Sequence, residues 1–296
     1  MGLNRFREAK DAFERALAQK LESDKIRKGL YVLAFINADT LAMQRQLDAL
    51  GTQPNDLASS WEAETAAFAG QSQRARELFR RAFDLRKAKA VAAQSASEEF
   101  LWGATFGQCR QSETKAWQTF ALAHLRASFD TVGLGLALCG ETELLKGLIA
   151  EAKQRERKHT FISGLYLSII EAAGEIEINK PALALQTLET LGQYEDAAGF
   201  WARYLRGQAH LRLKRGPEAA KEFQSIRDHR GQDPLSPLYP LAHLGLARAI
   251  ALSGNSIASR TAYDDFFTLW KDADARLPLV LEAKKEYQKI GRSPVS

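Results

Sequence analysis

The stretch YLRGQAHLRLKRGPEAAKEFQSI, residues 204–226, decides the fold. Gly207 lies on a first helix and Ala219 on a second, and Pro217 opens the second, where a missing N–H costs nothing. Two antiparallel helices approach closely only where side chains at the crossing are small, and Gly207 and Ala219 supply that. Phe223 sits one turn beyond Ala219 on the same face. It fills the wedge against whatever packs next.

The spacing recurs. Ala63, Ala75 and Phe79 keep it, as do Ala104, Ala116 and Phe120; Ala172, Ala184 and Leu188; and Ala247, Ser259 and Tyr263. Gly133, Leu145 and Ile149 fit at the first and last positions, whereas Tyr31, Met43 and Leu47 fit poorly. Anchors at 9, 43, 75, 116, 145, 184, 219 and 259 lie about 36 residues apart on average, close to the tetratricopeptide unit of about 34 with its small, small, aromatic pattern. One helix pair cannot bury its apolar faces alone, so neighbours must stack. Gly70, Gly140 and Gly254 break the chain within pairs, and Gly51, Gly192 and Gly231 between them. Pro181 starts a second helix, and Asp39 and Ser112 are N-cap candidates. The pattern predicts an all-α, right-handed superhelical solenoid of antiparallel helix pairs, with about 16 helices. An opening helix and about seven pairs fill residues 1–278, and a capping helix and tail fill 279–296.

The totals agree. The chain has 296 residues, of which 45% are hydrophobic and 26% charged. Good helix formers dominate, and no alternating Val/Ile/Thr-rich run suggests a sheet. The net charge of +5 is mild and dispersed, unlike the basic stripe of a nucleic-acid binder. No signal-peptide pattern is read, and apolar runs are too short to span a bilayer.

Little in the chain reads as reaction chemistry. GLGLALCG at 133–140 holds a lone GxG inside a helical pattern, with no strand before it, so it is not read as a phosphate loop. His124, His159, His210, His229 and His243 show no metal-ligand spacing and read as surface or groove residues. Asp264–Asp265 and Glu98–Glu99 are expected on helix surfaces, pointing apart. KQRERKH at 153–159 reads as cations at a helix C-terminus. Trp61, Trp102, Trp117 and Trp270 read as packing residues. Cys109 and Cys139 read as buried, reduced thiols, because equivalent helices sit about 8–10 Å apart, beyond disulfide reach.

The runs AFINADTLAMQRQLDALG, ETAAFAGQSQRARELFRRA, EAAKEFQSIRDHRG and YPLAHLGLARAIALSGNSIASRTAYDDFFTLWKDAD together resemble the tetratricopeptide region of certain bacterial serine/threonine protein kinases. In that family the region follows a kinase domain. The family's catalytic motifs are absent from this chain: it holds no Gly-rich loop, no HRD and no DFG. The resemblance implies a segment that senses, scaffolds or binds a partner, with no catalysis and no cofactor. It also implies that unit positions 2, 5, 9, 12 and 13 line a concave groove. Counted from Gly207 as position 8, these are Trp201, Tyr204, Gln208, Leu211 and Arg212. The next unit supplies Leu241, Leu244, Arg248, Ala251 and Leu252; earlier units supply Thr105 and Gln108, then Glu64 and Ala67. The family's carboxylate clamp needs Lys and Asn where this chain has Tyr204 and Gln208, or Leu244 and Arg248.

The expected partner is therefore a protein or peptide with acidic or aromatic anchors, held by Trp201, Tyr204, Arg212 and Arg248. Packing of Trp201 and Tyr204 between units is the competing reading. A nucleic-acid-binding helical repeat, or the sensor region of a transcriptional regulator, is the alternative class, although positions 5 and 9 show no base-reading code. A cytoplasmic location is expected, or a periplasmic one if a membrane span precedes the segment in its parent protein. In NRFREAKDAFERAL, Ala9, Phe13 and Ala16 match Ala75, Phe79 and Ala82, so the opening helix reads as the second helix of a unit. It serves either as a cap or as the edge of a longer array.

Overall fold

The computed structural model describes residues 1–51, 53–86, 92–111, 114–119, 121–122, 128–154 and 164–290 in full, and helical backbone alone at 89–91, 112–113, 120, 123, 155–156 and 161–163. The described residues are helical and contain no strand. The helices are α1 (Phe6–Ala18), α2 (Asp24–Ile36), α3 (Thr40–Asp48), α4 (Asp56–Phe68), α5 (Ser72–Leu85), α6 (Lys89–Thr105), α7 (Ser112–Ala123) and α8 (Phe129–Leu138). They continue with α9 (Thr142–Glu156), α10 (Phe161–Glu177), α11 (Pro181–Glu189), α12 (Trp201–Arg212), α13 (Gly216–Asp228), α14 (Leu238–Leu252), α15 (Ser256–Leu269) and α16 (Pro278–Ile290). Short 3-10 segments, Gly192–Ala198 and Arg230–Gln232, precede α12 and α14.

A backbone signature marks seven pairs, α2–α3 to α14–α15. Each inner turn holds one residue at positive φ: Ala38, Gly70, Gly107, Gly140, Asn179, Lys214 or Gly254. In each turn that residue's N–H returns to the carbonyl three back, and in six of them the next N–H returns to the carbonyl five back, as in Gly70 N to Ala67 O and Gln71 N to Ala66 O. This closes the orphan carbonyls of a helix end. Capping follows the sequence at Asp39, whose Oδ1 accepts from Ala42 N at 2.9 Å. Pro181 and Pro217 sit in the first turns of α11 and α13. The Ser112 cap and the Phe120 wedge fall outside the described side chains.

The small-residue crossings are close. A methyl on Gly207 would come within 2.6 Å of the Phe223 ring, and one on Gly245 within 2.5 Å of the same ring. Phe223 thus wedges between its own pair and the next; its full burial is worth about 2–3 kcal/mol. Gly133 and Gly135 of α8 admit Ile170 and Phe100, so the lone GxG serves helix packing. Phe13 of α1 covers Gly29 of α2 as Phe223 covers Gly245, the contact expected of a second helix.

From α6 onward the first helices also pack on one another in order, α6 on α8, α8 on α10, α10 on α12 and α12 on α14, and α14 reaches back to α4. The array therefore closes. Phe68 stacks on Tyr239 at 6.0 Å. Trp270 Nε1 donates to Phe68 O at 2.8 Å, and Asp274 N to Gly70 O at 3.0 Å. Asn4 Nδ2 donates to Asp228 O at 2.6 Å and its Oδ1 accepts from Gly231 N at 2.7 Å. The Arg230 guanidinium lies 5.9, 5.8 and 5.1 Å from the ring centres of Phe35, Phe68 and Tyr239.

Several expectations are corrected. Cys109 and Cys139 form a disulfide, with Cα atoms 5.4 Å apart. Both lie past helix ends, in the turns after α6 and α8, where the chain leans closer than the helix axes do. Ala116 is exposed, while Thr114 and Gln118 take the buried positions of α7 and Thr114 meets Gly103. The described buried positions of α7 are Thr114, Gln118 and Ala121, so the register carries polar residues where an apolar match at 116 was expected. His243 is buried rather than at a surface or groove. The final helix starts one residue earlier than expected, at Pro278.

Candidate functional site

The candidate site gathers on the first helices of the pairs, which pack on one another from α6 to α14. Trp201 is 7% exposed and stacks on Trp102 of α6, with centroids 6.3 Å apart and planes 12° from parallel. Tyr204 meets Trp201 and Phe223 edge-on at 6.3 and 6.0 Å. Burial pushes its phenol up to about 12, while Arg248 and a hydrogen bond with Gln208 pull it the other way. The structure thus brings Trp201, Tyr204, Gln208 and Arg248 together. Both rings are engaged in internal packing.

The cations expected in the groove are already paired. Arg212 donates to Glu177 at 3.0 Å. Arg248 bridges Glu286 at 3.0 Å and Glu282 at 3.2 Å, both on α16. The C-terminal helix therefore takes up the charge that a partner would have met. Thr105 lies on α6 one turn beyond Trp102, and Gln108 in the turn that follows. Thr105 Oγ1 donates to Leu101 O at 2.8 Å within α6. Gln108, in the turn after α6, accepts from Ser72 at 2.8 Å and Arg76 at 3.1 Å. Leu241, Leu244 and Ala67 are buried, whereas Ala251 and Leu252 are exposed.

Glu64, at groove position 9, opens a second part of the interior. Lys28 of α2 donates to it at 2.7 Å. Its side chain is 23% exposed, and desolvation raises its carboxyl while Lys28 opposes the rise. Glu98 of α6 and Asp233 before α14 share this setting. Burial raises all three carboxyls, with Glu98 reaching about 7 and Asp233 about 6. The charge of Glu64 adds to the rise at both neighbours, and Lys28 opposes it. Behind them Arg86 binds Asp56 at 3.0 Å, Ser60 at 2.9 Å and Ser95 at 2.6 Å. Sequence reading put Glu98 on a surface. Its neighbour Glu99, also expected on a surface, is buried, 4% exposed, and binds Arg76 at 2.7 Å. Charged neighbours on helices distant in sequence, Glu64 of α4 and Lys28 of α2, place Glu98 away from solvent.

The other candidates are structural. His243 is held neutral by burial and by Arg227 and Arg230, its value falling to about 4. His229 bonds Ser225 O at 2.7 Å. His124 and His159 lie outside the described residues, as does most of KQRERKH; Lys153 pairs with Glu171. Among the described residues no three His, Cys, Asp or Glu side chains group as metal ligands. No helix among them is long and apolar enough to cross a membrane. The interior can hold protons and receive a cationic group, and its aromatic half is closed by internal stacking. No family model and no curated protein matches the chain.

Proposed function

We propose that this chain is a non-catalytic protein-interaction or scaffolding module: a tetratricopeptide-type superhelical array, the segment of a bacterial signalling protein such as a serine/threonine kinase. The observation that carries this reading is the repeat itself. Seven inner turns recur in one backbone form, and first helices from α6 to α14 share one inner face, which is how such arrays present side chains to a partner. Glu64, Glu98 and Asp233 face the interior against Lys28, so a segment entering there carries Lys or Arg. The Cys109–Cys139 bond favours the periplasmic placement over the cytoplasmic one, because such bonds persist in oxidising compartments.

Peptide display on the folded chain, run beside a Glu64→Gln/Glu98→Gln variant, tests the module. Short sequences should be enriched on the first, and those bearing Lys or Arg should be lost on the second. No enrichment, together with RNA binding that falls steeply with salt, overturns the reading.

A further inference from the structure

The cations expected to meet an acidic partner, Arg212 and Arg248, are already paired with Glu177 and Glu286. We infer that such a partner binds instead in a cleft on the rim of the ring, gripped by Arg80 and Arg276. The cleft has a volume of about 600 Å3, within the range of ligand sites. Its walls are the first turns of α5, the turn after α6, and residues 274–277 ahead of α16.

The cleft's charges divide into spent and unspent. Arg76 is 11% exposed and held by Glu99 at 2.7 Å and by Gln108 and Gln111 at 3.1 and 3.3 Å. It forms a fixed floor. Two carboxylates share the wall: Asp274 accepts from Gln73 N–H at 2.8 Å and Glu77 accepts from the Gln73 side-chain amide at 3.3 Å. Arg80 and Arg276 are exposed and have no ion-pair partner among the described residues. Arg80 stands one turn from Arg76 on α5. A guanidinium binds a carboxylate through two parallel N–H bonds. The ligand class is thus a peptide presenting spaced Asp or Glu side chains. A nucleic acid fits poorly: among the described residues no aromatic ring lines the cleft for a base to stack on.

The wall near Gln108 and Gln111 is anchored, since Cys109 between them is bonded to Cys139. A site already in shape spends less binding energy on ordering. The inference rests on the chain being an interaction module but uses none of the interior residues, so Glu64→Gln/Glu98→Gln leaves it intact and the two readings fail separately.

The test is a fluorescein-labelled octapeptide with Glu at alternate positions, titrated into the full chain. Arg80→Glu/Arg276→Glu should weaken binding at least tenfold, and Arg80→Lys/Arg276→Lys by about two- to fivefold, because charge stays and the fork is lost. Both sites are exposed, and unchanged helical circular dichroism confirms the fold. Absence of binding, equal binding by the Glu variant, or displacement by a single-stranded oligonucleotide of equal charge overturns the inference.

Discussion

Lys214, Asn179 and Ala38 stand at the turn position that Gly fills in the other four pairs, with φ of 60°, 59° and 55°. A left-handed residue with a Cβ costs roughly 1–2 kcal/mol, and Gly returns about 0.5–1 kcal/mol of that as lost chain freedom. Lys214→Gly should therefore stabilise the chain by about 0.5–1 kcal/mol, read from urea denaturation. Glu98 offers a second test at this scale. Burial first, and Glu64 second, lift its carboxyl to about 7 from the ordinary 4.5. Between those values the folded chain binds a proton that the unfolded chain lacks, so stability is present at low pH and declines as pH rises through the window. The slope is up to about 1.4 kcal/mol per pH unit. His243, depressed to about 4, acts with the opposite sign, its stability being lost as pH falls below 6.5. In the difference between wild type and Glu98→Gln the other groups cancel. The variant should thus gain stability steadily from pH 4.5 to 7; a pH-independent difference counts against an inward-facing Glu98.

Single elements show what was legible in the sequence and what was not. The helix pairs could be read because their crossings demand small residues at fixed spacing, and Gly207, Ala219 and Phe223 announce themselves. The α6–α7 pair could not, because Thr114 and Gln118 occupy positions that elsewhere hold Ala and Phe. The bridge between Cys109 and Cys139 escaped for a different reason: helix spacing says nothing of how near two turns come. That bond links the turns of neighbouring pairs across 30 residues. Loop closure of this length is worth about 2–4 kcal/mol. Reduction, or Cys109→Ser/Cys139→Ser, should lower stability by that amount in matched denaturant titrations, and alkylation of the unreduced chain should modify neither cysteine. The candidate site was half legible. Register placed Glu64, Trp201 and Tyr204 inward, but the Trp102 partner and the α16 carboxylates on Arg248 depend on contacts far apart in sequence.

For the whole molecule, closure is the property that local sequence could not announce, since Phe68 and Trp270 meet across 202 residues. Trp270 is buried against Phe106 and Phe266, and Arg230 holds three rings without a carboxylate, its guanidinium depressed by desolvation. In an array, stability is roughly a sum of units and interfaces. Breaking the contact between the ends should then open the ring without melting the pairs between them. Arg230→Ala removes the cation from the aromatic trio at a cost of about 1–2 kcal/mol. Trp270→Ala leaves a cavity costing about 3–5 kcal/mol. A compact chain of this length has a radius of gyration near 19 Å. X-ray scattering should show that radius growing by several ångströms in the double variant, while circular dichroism keeps most of its helical signal. If the helical signal and the compact radius are lost together in one transition, the pairs depend on closure, and the array must be treated as a single cooperative ring.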